Sequence, residues 1–211
     1  MVNSTPFPRL KRRLVAILRG LEHKNAVATA EAILEAGIEA IEVPLNSPDP
    51  FRSIEAIARA LPASALVGAG TVLTADDVRS LDAAGGRLLV SPNIDADVMR
   101  AAAGFGMVTM PGVFTPTEAL LAVRLGASAL KFFPAFALGP KGIAAIMTVL
   151  PKEALVGAVG GVSEKDFADY AKVGVSTFGL GSSLFAPGMA PAEVGKRARA
   201  AADAWDAAFP A

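Results

Sequence analysis

Short β-rich runs recur along this chain at nearly constant intervals, over residues 14–18, 40–45, 66–72, 88–91, 107–110, 129–133, 155–159 and 177–180. Their starts lie roughly 20 to 26 residues apart, about the length of one strand, one helix and two loops. The segments between them are amphipathic, rich in alanine and have readable ends. Thr115-Pro116-Thr117-Glu118 reads as a capping box with proline at the first helical position, and Thr74 and Ser163 open two further helices. Gly37, Gly85, Gly104, Gly126 and Gly174 stand where helices would end in a left-handed residue. Eight strand-helix units predict a small (β/α)8 TIM barrel. It forms a single domain over residues 1–211, with a lead-in at 6–10 and a last helix at 191–208. An open doubly wound sheet is the alternative. Against it, no Gly-x-Gly-x-x-Gly follows the first strand, and Gly68-Ala69-Gly70-Thr71 belongs to the third without opening a glycine-spaced helix.

Composition removes several function classes. The chain is 53% hydrophobic and only 6% aromatic, which suits an aliphatic core. Twenty basic residues balance 20 acidic ones, and no basic run is long enough for a nucleic-acid surface. The triplet Lys11-Arg12-Arg13 before the first strand is expected on the solvated rim. Without cysteine there is neither a disulfide scaffold nor a thiol nucleophile, and with His23 as the sole histidine a zinc site lacks ligands. Neither metal nor cofactor is expected. Mean hydropathy is +0.46, yet no run of about 18 uninterrupted apolar residues exists to span a membrane. The first residues also lack a charged start followed by an apolar stretch and a small-residue cleavage site. A soluble, cytoplasmic protein is expected.

In a (β/α)8 barrel chemistry collects at the carboxyl ends of the strands, and strand alternation tells which side chains face the axis there. Ala40, Glu42 and Pro44 share one face of the second strand, and Lys131 and Phe133 share one face of the sixth. Arg19 is in phase with Val15 and Ile17 on the first strand, and Thr71 with Ala69 on the third. Lys131 is the anomaly among these. It interrupts Ala129-Leu130-Lys131-Phe132-Phe133-Pro134, where a buried strand should be apolar. Burial disfavours an ammonium, lowers the proton affinity of the amine and leaves a nucleophile of the kind a Schiff base needs. A lysine snorkelling from the strand end into solvent is the bland alternative.

Strands two and six contribute to one interior layer from opposite sides, so Glu42 and Lys131 are expected to meet near the axis. An amine facing a carboxylate suits imine chemistry on a ketone, with Lys131 as nucleophile and Glu42 as proton shuttle. A structural ion pair fits the same spacing. Gly160-Gly161 ends the seventh strand and Gly181-Ser182-Ser183 the eighth, where barrels bind phosphate through backbone N–H groups. Glycine lets the backbone approach an anion, and Ser182 adds a hydroxyl donor. A Gly-Gly in one loop is usually a turn. Both loops together favour a phosphorylated substrate.

Seven runs, nearly one per strand end, carry a resemblance. They are Ala16-Ile-Leu-Arg-Gly20, Glu42-Val-Pro-Leu-Asn-Ser-Pro48, Gly68-Ala-Gly-Thr-Val-Leu73, Ser91-Pro-Asn93, Leu130-Lys-Phe-Phe-Pro134, Val159-Gly-Gly-Val162 and Gly179-Leu-Gly-Ser182. In order and spacing the chain resembles the class I aldolases that cleave 2-keto-3-deoxy-6-phospho sugar acids. The resemblance implies a homotrimer of metal-free barrels, with Lys131 as Schiff-base former and Glu42 as general acid and base. It places Arg19, Thr71, Pro92 and Phe133 around the pyruvyl half, with Asn93 beside them. Gly160, Gly161, Gly181 and Ser182 would hold phosphate. Gluconate-type members typically carry Thr-Leu-Arg-Thr after the catalytic glutamate and a threonine before the Gly-Gly. Here Pro44-Leu-Asn46-Ser47 and Val159 stand there, and Arg19 supplies a cation, so the chain resembles the galactonate branch. That implies reversible cleavage of 2-dehydro-3-deoxy-6-phosphogalactonate to pyruvate and glyceraldehyde 3-phosphate. The C4-epimeric gluconate substrate, or a non-catalytic phosphate-binding barrel, are the alternatives.

Overall fold

The computed structural model describes residues 5–210. Nine parallel strands form one sheet in the order β5-β4-β3-β2-β1-β9-β8-β7-β6, with β1 Leu14–Ile17, β2 Ala40–Pro44, β3 Leu66–Gly70, β4 Leu88–Val90, β5 Val108–Met110, β6 Gly112–Val113, β7 Leu130–Phe132, β8 Val156–Val159 and β9 Thr177–Leu180. The ninth strand is β6, which lies beyond the expected fifth run at 107–110 and is separated from β5 by Pro111. Proline has no N–H to offer a ladder, so β5 pairs with β4 while β6 pairs with β7. The seam is sealed by the Ala129 N–H donating to Thr109 O at 3.1 Å and the Lys131 N–H donating to Pro111 O at 3.0 Å. The sheet therefore closes on itself as a (β/α)8 barrel.

Eight helices alternate with the strands: α1 Ala26–Glu35, α2 Pro50–Ala60, α3 Ala75–Ala83, α4 Ala96–Gly104, α5 Pro116–Arg124, α6 Ala135–Met147, α7 Phe167–Ala171 and α8 Pro191–Ala208. Thr74 and Thr115 each form a full capping box, with Asp77 and Glu118 respectively. Burial sorts the strand residues into two apolar layers. Ile41, Val43, Leu130, Phe132 and Phe178 face the helices, whereas Val15, Ile17, Ala40, Leu88, Val90 and Met110 fill the barrel, floored by Phe7 and Leu10 of the lead-in. No helix among the described residues is long and apolar enough to cross a membrane.

Four local expectations are corrected. Gly37, Gly85, Gly126 and Gly174 adopt positive φ, but Gly104 stays within α4 and Gly106 takes the left-handed turn two residues later. Ser163 opens a turn rather than the helix itself: its N–H and hydroxyl both donate to the Asp166 carboxylate, and α7 begins after Asp166. Gly139-Pro140, read from sequence as a junction shaping a loop over the site after the sixth strand, is instead a kink inside α6, with Gly139 at φ 62° and ψ 174°, because proline cannot continue the helical ladder. Arg12 leaves the solvated rim altogether. Its guanidinium donates to both oxygens of Asp206 at 2.8 and 2.5 Å and to Gly37 O at 3.1 Å, tying the start of β1 to α8, while Lys11 and Arg13 remain exposed. A bidentate carboxylate pair of this kind repays burial of the charge. It also holds the Arg12 guanidinium above its ordinary proton affinity.

Candidate active site

A cavity of about 660 Å3 opens at the carboxyl ends of the strands. Arg19, Glu42, Lys131 and Phe133 line it together with Val159, Gly160, Gly161, Gly181 and Ser182. Glu42 and Lys131 are 2% and 6% exposed, so both charges are withdrawn from water. Alternation on β2 and β7 places both on the axis face, and glycine makes the room. A Cβ at Gly70 would overlap the Glu42 carboxylate. Gly112 and Gly157 stand in register with Lys131 on either side; a Cβ at Gly112 would overlap the Pro92–Asn93 backbone, and one at Gly157 would meet Met110 and Thr177.

No hydrogen bond or ion pair joins Glu42 to Lys131 among the described residues, and Glu42 Oε2 is buried without any partner. The two groups face one space and feel each other only through it. Burial raises the Glu42 pKa to about 7, against the opposing pull of the Lys131 and Arg19 cations. Burial likewise lowers the Lys131 pKa; the Glu42 charge opposes this and Arg19 reinforces it. Lys131 Nζ lies 4.7 Å from the centroid of the Phe133 ring, a weak substitute for hydration. A carboxyl poised near neutrality beside an amine pushed towards its neutral form is the combination that proton-coupled imine chemistry requires.

The remaining walls follow from glycine geometry. Gly160 and Gly161 adopt φ of 91° and 70°, two successive left-handed residues that fold the β8 loop into a concave turn. The Ser183 hydroxyl donates to Val162 O at 3.2 Å and stitches this turn to the β9 loop, leaving Ser182 on the cavity wall. A Cβ at Gly179 would stand 2.8 Å from Val159 Cγ2, so that glycine leaves space for the valine.

Thr71, Pro92 and Asn93 are not among the lining residues. The phase argument for Thr71 fails because Ala69 packs against the helices, and because Thr71 itself turns left-handed at φ 57°. The Ser91 hydroxyl donates to Asn93 O at 2.7 Å, and the tight turn leaves Asn93 exposed. The same turn packs Pro92 O against Gly112. Conversely, Gly20, Phe185, Ala186 and Pro187 close one wall. Apolar loop residues of this kind carry no chemical signal in sequence.

Comparison with known proteins decides the lineage. Residues 9–193 match the family model described as "Aldolase: KDPG and KHG aldolase". The chain belongs to the KDPG and KHG aldolase family. It is 58% identical over 204 residues to a Rhizobium meliloti (strain 1021) protein named "Probable 2-dehydro-3-deoxy-6-phosphogalactonate aldolase", covering 97% of this chain and 96% of that one. A solved structure described as "Native KDPGal structure" superposes with a TM-score of 0.94 at 42% identity, over 96% and 98% of the two chains. A KDPG aldolase from Legionella pneumophila, with pyruvate captured as a covalent carbinolamine, superposes with a TM-score of 0.81 at 27% identity, over 90% and 94%.

Within this KDPG and KHG aldolase the close approach of Gly70 to Glu42 is testable. Gly70→Ala should force the carboxylate aside and slow proton exchange on pyruvate roughly 100-fold, the scale on which an ångström of misplacement acts. Exchange of the methyl protons of pyruvate with deuterium, followed by NMR, measures this. An unchanged rate would mean that Glu42 tolerates a shifted seat.

Proposed function

We propose that this protein is a class I aldolase that reversibly cleaves 2-dehydro-3-deoxy-6-phosphogalactonate to pyruvate and glyceraldehyde 3-phosphate. The observation that carries the reading is the buried, unpaired placement of Lys131 and Glu42 in one cavity. A structural ion pair would close that gap, because charges withdrawn from water and left apart forfeit the attraction that offsets their desolvation. The neutral Lys131 amine adds to the C2 ketone, and loss of water gives an iminium. Glu42 takes the proton of the C4 hydroxyl as the C3–C4 bonding electrons move into the iminium, which releases the aldehyde and leaves an enamine. Glu42 then returns the proton to C3, and water hydrolyses the iminium to pyruvate and free Lys131.

Arg19 pairs with the pyruvyl carboxylate in this reading, and the turns at Gly160-Gly161 and Gly181-Ser182 receive the phosphate. Thr71, Pro92 and Asn93 remain in the proposal as further contacts made when substrate is bound. Val159 offers no hydroxyl to the C4 substituent, which supports the galactonate epimer over the gluconate one. A cytoplasmic homotrimer remains part of the proposal, and the exposed Phe136, 69% accessible at the start of α6, is compatible with a subunit contact. Incubation with pyruvate and borohydride, then intact mass and peptide mapping, tests the chemistry. A reduced pyruvyl adduct on Lys131 is expected, and its absence from folded protein would leave a phosphate-binding barrel. Cleavage rates on the two epimers then test the substrate, with faster galactonate turnover expected.

A further inference from the structure

The charged side chains that line the cavity are Arg19, Glu42 and Lys131. Arg19 is the one among them on the solvent side, and its Nη1 donates to Asn46 Oδ1 at 2.6 Å. The neighbouring backbone is held as well: the Gly20 N–H donates to Ser47 Oγ at 2.9 Å and the Leu18 N–H to Glu42 O at 3.0 Å. The loops after β1 and β2 are thus locked together, and Asn46 is the residue that aims the guanidinium. We propose that Asn46 is a positioning residue that orients Arg19 for a substrate carboxylate while leaving its positive charge unspent. This rests on the aldolase reading for the identity of the carboxylate, though not for the contact itself.

The choice of an amide over a carboxylate carries the argument. An aspartate at position 46 would accept the same hydrogen bond with the same reach, and a charged acceptor makes the stronger bond. It would also neutralise Arg19 and present a second anion to an incoming carboxylate. Asparagine fixes the direction of the guanidinium as a neutral dipole and leaves the field of the cation intact. That field matters deeper in the site. Arg19 acts on Lys131 as a like charge that disfavours the ammonium, and on Glu42 as an opposite charge that favours the carboxylate. A neutral partner for Arg19 therefore serves substrate binding and nucleophile activation together.

Two variants separate this role from simple loop bracing. Asn46→Ala keeps the Arg19 charge and loses its aim, whereas Asn46→Asp keeps the aim and loses the net charge. Each is assayed for pyruvate proton exchange as a function of pH, and for equilibrium binding of lactate by NMR. Lactate carries the carboxylate and has no ketone, so it reports on Arg19 whether or not an imine forms. Expected for Asn46→Asp is a loss of lactate affinity and a rise in KM for pyruvate of about ten- to a hundred-fold. The acid limb of its pH profile should move to higher pH, because Lys131 and Glu42 both hold their protons more tightly. Asn46→Ala should lose several-fold in the same constants with the limb unmoved. Wild-type lactate and pyruvate constants in the aspartate variant would overturn the proposal. Equal losses in both variants with no displacement of the limb would do so too, since bracing alone predicts them. A wild type that binds lactate in this pattern but traps no pyruvate would retire the aldolase reading and leave the role of Asn46 standing.

Discussion

Lys131→Ala is expected to lose aldol cleavage by on the order of 10^6-fold, the scale on which removing a covalent nucleophile acts in other enzymes. No second amine lines the cavity, so neither hydrolysis nor proton exchange has another route to an iminium. The protein should nevertheless fold. The Lys131 side chain makes no ion pair or hydrogen bond among the described residues that its removal would orphan, and once its charge is gone Glu42 simply retains its proton at neutral pH, the form that burial already favours. The volume-conserving Lys131→Met should even be more stable than wild type, by about 1–3 kcal/mol or several degrees in melting temperature. The gain has a defined pH dependence. Burial lowers the folded pKa of Lys131 below 10.5, so between those values the unfolded chain binds the proton that the folded chain has released. Wild-type stability then rises with pH through that window, and the advantage of methionine shrinks as pH approaches 10.5. Melting curves across alkaline pH, beside borohydride trapping, would decide the matter. A Lys131→Met protein that melts well below wild type would mean that the amine holds the barrel together.

The barrel and its two central residues were legible in sequence for separate reasons. Regular spacing, capping boxes and terminal glycines are local signals, and the period-two alternation on β2 and β7 holds because those strands are regular to their ends. Thr71 shows where that logic stops. Its in-phase partner Ala69 already packs against the helices while Leu66 fills the barrel, so alternation was sound and the face was not, and a threonine gives no warning of positive φ in the way a glycine does. Arg12 fails differently. Its partner Asp206 lies 194 residues away in sequence, so nothing local separates a buried arginine from the two exposed cations beside it. The two-residue strand β6 past Pro111 was not legible in sequence, because Gly112–Val113 is too short to show any alternation. The most consequential feature, the unpaired placement of Glu42 beside Lys131, depends on side-chain rotamers and on the missing Cβ at Gly70 against the Glu42 carboxylate, and no pattern in one strand encodes it.

Glu42→Gln should separate imine formation from proton transfer. The variant keeps Lys131, Arg19 and the shape of the cavity, so borohydride should still trap pyruvate on Lys131. Exchange of the pyruvate methyl protons should fall roughly 10^2- to 10^4-fold, the contribution usual for a positioned acid or base. Retained exchange would remove Glu42 from the proton path and transfer the role to water. The same substitution reports on the cost of the carboxyl. Its pKa rises from 4.5 unfolded to about 7 folded, so between these values the folded protein holds a proton that the unfolded chain does not. The stability contributed by the neutral acid is fully present below pH 4.5 and is lost as pH rises through 7, on the order of 3 kcal/mol in all. Glutamine cannot ionise. The variant should therefore gain on wild type between pH 4.5 and pH 8 when the two are melted side by side, and a constant difference would show that Glu42 titrates as an ordinary carboxylate. A site that keeps this acid where it weakens the fold at neutral pH does so for a reason that folding alone does not supply, and the proton transfer of the proposed reaction supplies one.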